Sequence, residues 1–212
     1  MWALIKDNKI EQIYQRPKSL VIGEVRYPSN MFTKYTDAEK AAIGIYPVED
    51  SGTKGNDRFE NTSGPTYTWS ASDKKVTTSY TITEKSLVDV EQKDESGNNI
   101  LDEKDNKTYN YGLKTQAKNL AKKQANGYIK QFNWLVERSI YDSSKTIPDV
   151  VKTYVAAIKT DCTNIEKAID DASDMTAFKK LYDWEYNEDG TIKTIAPIEN
   201  WSDDYDVKEY IR

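Results

Sequence analysis

The side chains that could perform chemistry in this sequence are few, and their spacing does not favour catalysis. The 212 residues include no histidine, which excludes Ser-His-Asp and Cys-His catalysis and most zinc sites. Asp170-Asp171 and Asp203-Asp204 could form a glycosidase-type carboxylate pair, but adjacent residues on a helix point about 100° apart. A solvated helix face and a solvated tail are the better interpretations of the two pairs.

The remaining candidate sites are a cysteine, a loop with two glycines and an acidic run. Cys162 is the only cysteine, and its place on an apolar helix seam indicates a core residue. The loop Gly52-Thr-Lys-Gly55 lacks the length and the Lys-Ser/Thr ending of a phosphate-binding loop. The run from Asp94 to Asp105 does not match the spacing of a calcium loop. The sequence therefore predicts a protein that is not an enzyme and that has no cofactor and no metal site.

Composition limits the classes of partner. The net charge at pH 7 is -5, which argues against a protein that binds nucleic acid by neutralising phosphates. No apolar run has the length of a membrane span, and the opening Met1 to Lys6 is charged too soon for a signal peptide. We therefore expect no nucleic-acid partner, no membrane partner and synthesis in a cytoplasm. The 15 tyrosines and 5 tryptophans suit thin sheets and protein interfaces.

The strongest structural signal lies between Tyr111 and Tyr182, where the pattern predicts two long amphipathic helices and a short third one. Thr146 and Asp149 have the spacing of a capping pair, and Asp174 is placed to cap the third helix. A short polar link predicts that the long helices are antiparallel neighbours. The seam of the second helix packs either within the chain, as a hairpin, or between subunits, as a coiled coil. Its apolar positions are Val151, Val155, Ile158, Cys162, Ile165, Ile169 and Ala172.

Shorter alternating runs predict β structure on both sides of the helices, and hence an α+β fold. Residues 1–93 are expected to form a small N-terminal antiparallel β module. Residues 94–110 are expected to be a polar linker, 111–183 an antiparallel helical hairpin or bundle, and 184–212 an acidic aromatic C-terminal arm with a short β-hairpin or extended chain. No internal repeat is apparent. The expected meander of the N-terminal module buries Leu4, Ile13, Val21 and Val25.

Nine large side chains are the predicted anchors of packing or of an interface, because each carries enough apolar area to serve a core or a partner surface. They are Trp2, Tyr27, Phe32, Tyr46, Trp134, Tyr154, Ile158, Trp201 and Tyr205.

Two stretches carry recognisable motifs. The first combines the opening Met1-Trp-Ala-Leu-Ile-Lys-Asp-Asn-Lys-Ile10 with Arg26-Tyr-Pro28, Met31-Phe32 and Ile43-Gly-Ile-Tyr-Pro-Val48. It resembles the N-terminal β module of small tail-region proteins of tailed bacteriophages, particularly marine phages. The second has the pattern (D/N)-W…R…I-P…V-x-x-Y…I and is similar to the C-terminal region of tail-fibre assembly-like proteins. Its residues are Asn133-Trp134, Arg138, Ile147-Pro148, Val151, Tyr154 and Ile158.

The resemblance implies a non-enzymatic virion structural protein of a tailed bacteriophage. Such a protein would be a docking or adaptor component of the tail or tail fibre, made in the host cytoplasm and acting through protein–protein interfaces. Its expected partners are other tail or fibre proteins, and a homo-oligomer, either a trimer or a ring, is expected. Two alternatives remain: a tail-fibre assembly factor (chaperone) that the virion does not retain, and a host-targeting accessory protein.

Overall fold

The computed structural model describes residues 1–211, and the chain divides into two compact units, Met1–Glu84 and Lys85–Arg212. Each unit contains strands and helices of its own, and the protein has the mixed α+β class that the sequence predicts. The predicted division into four segments stays a prediction.

The first unit contains a five-stranded sheet, a separate two-stranded hairpin and two short helices. Its sheet has the strand order β2-β1-β5-β7-β6, and all neighbours are antiparallel except β5 and β7, which run parallel. The strands are β1 Trp2–Lys6, β2 Lys9–Tyr14, β3 Leu20–Ile22, β4 Val25–Tyr27, β5 Ile45–Glu49, β6 Glu60–Ser70 and β7 Lys75–Glu84, and the helices are α1 Met31–Lys34 and α2 Asp37–Ala42.

The parallel pair corrects the expectation of a wholly antiparallel module. Val48 lies opposite Val76, and Glu49 lies opposite Thr77. The chain leaves β5, turns back along β6 and turns again into β7, so β7 runs in the direction of β5. A pair of parallel strands needs such a crossover, which a short hairpin loop cannot supply.

Strands β3 and β4 form a hairpin outside the large sheet, which corrects the expected four-stranded meander. Leu20 is buried, whereas Val21 and Val25 are 62% and 54% exposed. Successive residues of a strand point to opposite faces, so the burial of Leu20 turns Val21 toward solvent. The expectation that Val21 and Val25 are buried is therefore wrong.

The core of the first unit gathers around α1, where Met31 and Phe32 pack with Leu4, Tyr14 and Ile45. A capping box begins α2, with the Thr36 hydroxyl accepting the Glu39 N–H. At the sheet edges, the Trp69 indole donates a 2.8 Å hydrogen bond to the side chain of Asn8. This hydrogen bond joins β6 to the β1–β2 turn, and β6 also approaches β2, so the sheet is nearly barrel-like.

The second unit is built on helices that are flanked by short strands. Its strands are β8 Val90–Glu91, β9 Tyr109–Asn110, β10 Glu185–Tyr186 and β11 Ile192–Thr194, its α-helices are α3 Leu113–Lys130, α4 Asn133–Tyr141, α5 Asp149–Asp171 and α6 Met175–Lys180, and Pro197–Glu199 and Tyr205–Tyr210 form 3-10 helices.

The predicted first long helix is two helices in the structure. It is interrupted between Lys130 and Asn133, where Phe132 leaves the helical conformation at φ -105° and ψ 1°. Phe132 is buried, and its ring meets Tyr154 edge-on at a centroid distance of 5.7 Å. The apolar periodicity continues through Phe132 and therefore does not show this break. Gly127 lies inside α3 without interrupting it.

Helix α5 begins differently from the prediction. Pro148 occupies the N-cap position with no side-chain hydrogen bond, so Thr146 and Asp149 do not form the expected capping pair. Asp149 instead pairs with Lys152 at 2.9 Å, and the hydrogen bond from Lys152 lowers the pKa of the Asp149 carboxyl. The expected cap of the next helix is confirmed, because the Asp174 carboxylate accepts the Ala177 N–H.

An eight-residue repeat precedes the helices, so the expectation of no internal repeat is wrong. The backbone N–H of Gln92 donates to the carbonyl of Thr108, Thr108 donates to Ile100, and Ile100 donates to Gln92, each at 2.9 Å. These three residues are spaced eight apart and close a ring of hydrogen bonds. The three segments around these residues form a small ladder of backbone hydrogen bonds. The segment 94–110, predicted as a polar linker, supplies two of the three, around Ile100 and Thr108.

The turns of this ladder are two copies of the pattern Asp-Glu-x-x-Asn, which begin at Asp94 and Asp102. In each copy, one carboxylate oxygen accepts the backbone N–H groups two and four residues later, at 2.8–2.9 Å. Backbone hydrogen bonds to the charged form lower the pKa of both carboxyls, with Asn98 and Asn106 the largest contributors. Gly97 and Asp105 take the positive φ that these turns require.

Candidate interaction surface

The candidate catalytic carboxylates have structural partners. Asp170 pairs with Lys118 at 2.9 Å, and the hydrogen bond from Lys118 lowers the pKa of Asp170. Asp171 pairs with Lys167 on its own helix, and Asp204 pairs with Lys208 one turn later. Within residues 1–211, no group of three or more Cys, Asp or Glu side chains is placed to hold a metal ion. No helix of that range has the length and apolar character to cross a membrane.

The four predicted anchors in the first unit pack inside it. Trp2 and Phe32 lie with their ring centroids 4.8 Å apart, and Tyr27 packs on the same core cluster. The rings of Tyr46 on β5 and Trp69 on β6 are tilted by 50° to each other, with their centroids 4.5 Å apart. These contacts account for Trp2, Tyr27, Phe32 and Tyr46 as packing residues.

Four of the five anchors in the second unit also belong to its core. Ile158 is 0% exposed and Tyr154 is buried, while Trp134 and Trp201 pack on the same cluster. Tyr205 differs, because it is 73% exposed and the Lys208 ammonium lies 4.2 Å from its ring centroid. The structure thus brings Trp134, Tyr154, Ile158 and Trp201 together and leaves Tyr205 at the surface.

One side of α5 is covered by residues 196–211, which we name the docked segment. Val207 is 1% exposed in the helical core, and the Trp134 indole donates a 2.9 Å hydrogen bond to the Tyr210 carbonyl. The ring centroids of Trp201 and Tyr128 lie 5.5 Å apart, and the Ser202 N–H donates a hydrogen bond to the Asp161 carboxylate. Residues 196–211, predicted to be an extended arm, therefore contain two 3-10 helices that pack on the helical core. The packed side chains are mostly apolar.

The opposite side of the helical unit carries an apolar trough between α3–α4 and α5. It consists of two adjoining grooves of about 140 and 370 Å³ that share Ile129. Val136 on its rim is 45% exposed, and Ile140, one turn further along α4, is 73% exposed. The apolar residues that line the trough are Ala125, Ile129, Phe132, Val136, Ile147, Val151, Val155 and Cys162.

Ion pairs bridge α3 and α5 at one end of the trough. Lys118 reaches Asp170 and Lys122 reaches Glu166, each at 2.9 Å, which also shows that the two helices run antiparallel. Hydrogen bonding to Glu166 raises the pKa of Lys122, so this lysine stays charged at neutral pH. The remaining lining residues of the trough are polar or charged, and three lysines against one glutamate give the lining a net positive formal charge. They are Lys122, Asn126, Asn133, Lys152, Lys159, Thr163 and Glu166.

Cys162 lies on the wall of the trough and is half-buried. Burial is the main cause that raises the pKa of its thiol, and the Glu166 charge raises the pKa further. At neutral pH the thiol is therefore protonated and a poor nucleophile. Its contribution to the trough is that of a small apolar side chain, in line with the expectation from the sequence.

Sequence reasoning selected only the α5 wall of this surface, because Val151, Val155 and Cys162 belong to the seam predicted for the second long helix. It did not select Ile129 and Val136 on the facing wall. The available signal was the stripe Phe132, Val136, Ile140, whose spacing of four places one more apolar face on α4 than the hairpin core needs. Tyr141, at the end of α4, is 90% exposed.

Comparisons of the chain with protein-family models, with curated proteins and with solved structures found no match.

Proposed function

We propose that the chain is a non-enzymatic structural protein of a tailed-bacteriophage virion, which docks to other tail or fibre proteins through the helical unit. The motifs given above carry the assignment to phages. The finer arrangement proposed is an N-terminal β module, a helical hairpin and a C-terminal segment, with the hairpin providing the docking surface.

The observation that carries the proposal is the trough. It joins half-buried Ile129 and Val155 to exposed Val136 and Ile140, which makes a continuous apolar surface on a chain with 31% charged residues. Apolar patches of this kind mark protein-contact sites more often than catalytic ones, and the carboxylates nearby serve as ion-pair partners.

The test is peptide mass spectrometry on density-purified particles of a phage that encodes the chain, with copy number measured against the capsid protein. Several copies per particle would support the structural role. Abundance in infected lysate together with absence from particles would overturn it in favour of the assembly factor. Detection only early in infection, without association with any tail intermediate, would favour the host-targeting alternative.

A further inference from the structure

We propose that the trough binds an amphipathic α-helix of another protein, and that acidic residues flank the apolar seam of that helix. The inference rests on the proposed function in one respect, which is that the helical unit works by contact with other proteins. It adds the shape and the charge of the partner element.

The dimensions of the trough fit a helix. From Val151 to Glu166, the lining residues of α5 span about 22 Å at a rise of roughly 1.5 Å per residue. A partner helix of about 15 residues covers that length. Side chains of α3 and α4 form the facing wall, so a third helix laid between the walls would complete a three-helix packing unit.

The chain already covers the other side of α5 with the docked segment. The side chains that face this segment include Val150, Tyr154 and Ala157, whereas Val155, Lys159 and Cys162 face the trough. At about 100° per residue, the two sets lie on nearly opposite sides of the helix. The docked segment thus leaves the trough open to a partner.

The lining charges select the chemistry of that partner. Lys122 is engaged with Glu166 and Lys152 with Asp149, while Lys159 lies between them on the α5 wall. Acidic side chains on both flanks of a docked helix would meet these lysines and exclude helices with basic flanks. A second copy of the chain would present the same lysines to themselves in a two-fold pairing, which like charge disfavours.

The probe is a pair of synthetic helical peptides of about 18 residues, each with an N-terminal fluorophore and the same Leu/Ala seam. One carries Glu at the positions that flank the seam, and its twin carries Lys there. We expect the full-length protein to bind the Glu peptide at least roughly tenfold more tightly than the Lys peptide in fluorescence anisotropy. Raising the salt concentration should narrow that difference, because the rim charges are exposed.

Two variants with matched controls locate the binding. Lys159→Glu should weaken binding of the Glu peptide about fivefold and strengthen binding of the Lys peptide. Lys167→Glu makes the same charge change on α5 outside the trough lining and should leave the affinities of both peptides unchanged. Val136→Glu should weaken binding of the Glu peptide by tenfold or more. Leu120→Glu, at a site 51% exposed on α3, should leave that binding unchanged. Because Val136 is partly exposed, its variant is expected to fold, and circular dichroism checks this.

The proposal is overturned if neither peptide binds at about 200 µM, or if the two bind equally. It is also overturned if light scattering shows a dimer that Val136→Glu dissolves, because the occupant is then a second copy. Failure of the virion role has a different signature. Absence of the chain from particles would remove that role while leaving the peptide preference intact.

Discussion

Replacing Ile158 by alanine tests whether the seam of α5 packs within the chain. Ile158 is 0% exposed and lies in the core cluster with Phe132, Leu135 and Tyr154. It is therefore expected to stabilise the helical unit by contacts within one molecule.

The magnitude follows from the burial. Ile158→Ala removes buried carbon atoms from a fully enclosed site, and such truncations cost about 2–5 kcal/mol of unfolding free energy, depending on how far the cavity collapses. The matched control is Ile140→Ala, in the same unit at a site 73% exposed. That change should stay within about 0.5 kcal/mol, because surface substitutions away from caps and networks rarely exceed it.

The assay is urea unfolding followed by circular dichroism at 222 nm, a signal dominated by the helices of the second unit. We expect a lower midpoint for Ile158→Ala at every protein concentration, and the same dependence of the midpoint on protein concentration in all three proteins. A midpoint that rises with concentration in the unmodified protein and not in Ile158→Ala would refute the reasoning, since it would place Ile158 between subunits. Equal effects of the two substitutions would refute it as well.

The remaining predictions concern glycines and the repeat. Gly127→Ala should stabilise the helical unit by up to about 1 kcal/mol in the same urea assay, because its Cβ meets open space in α3. Gly112→Ala should destabilise it, because its Cβ would lie 2.4 Å from the backbone of Val88. The folded-state pKa values of Asp94 and Asp102 are lowered, so both carboxylates stabilise the folded state. This stabilisation is complete above the ordinary aspartate pKa of 3.8 and is lost as pH falls through the depressed values. Amide exchange in both turns should therefore lose protection on acidification, and unchanged protection at pH 2 would contradict this.

The sequence predicts the elements whose signals are local. Helix α5 follows from its steps of four and three, and the cap at Asp174 follows from one side chain and its own backbone. The β1–β2 hairpin likewise follows from alternation around a polar turn. Each of these depends on residues within a few positions of one another, which is the range over which propensity and periodicity act.

The features that sequence reasoning missed depend on distant residues. The break before α4 accompanies the burial of Phe132 against Tyr154, and the parallel strand pair depends on which arm of a later hairpin meets β5. The repeat was not recognised in the sequence because its two copies share only Asp, Glu and Asn. The residues between the two turns have no type in common from one copy to the next. Side-chain size also does not separate core residues from surface residues, since Tyr154 is buried and Tyr205 is exposed.

The two alternatives for the α5 seam correspond to two columns of one apolar stripe. Val151, Ile158 and Ile165 are nearly fully buried, whereas Val155 and Cys162 are only half-buried. At about 100° per residue, the second column lies roughly 50° around the helix from the first, toward the trough. The first column packs within the hairpin, and the second lines the trough. The apolar seam of α5 is therefore wider than the contact within the hairpin requires. The exposure of each position, and not its periodicity, distinguishes the residues of the core from those that line the trough.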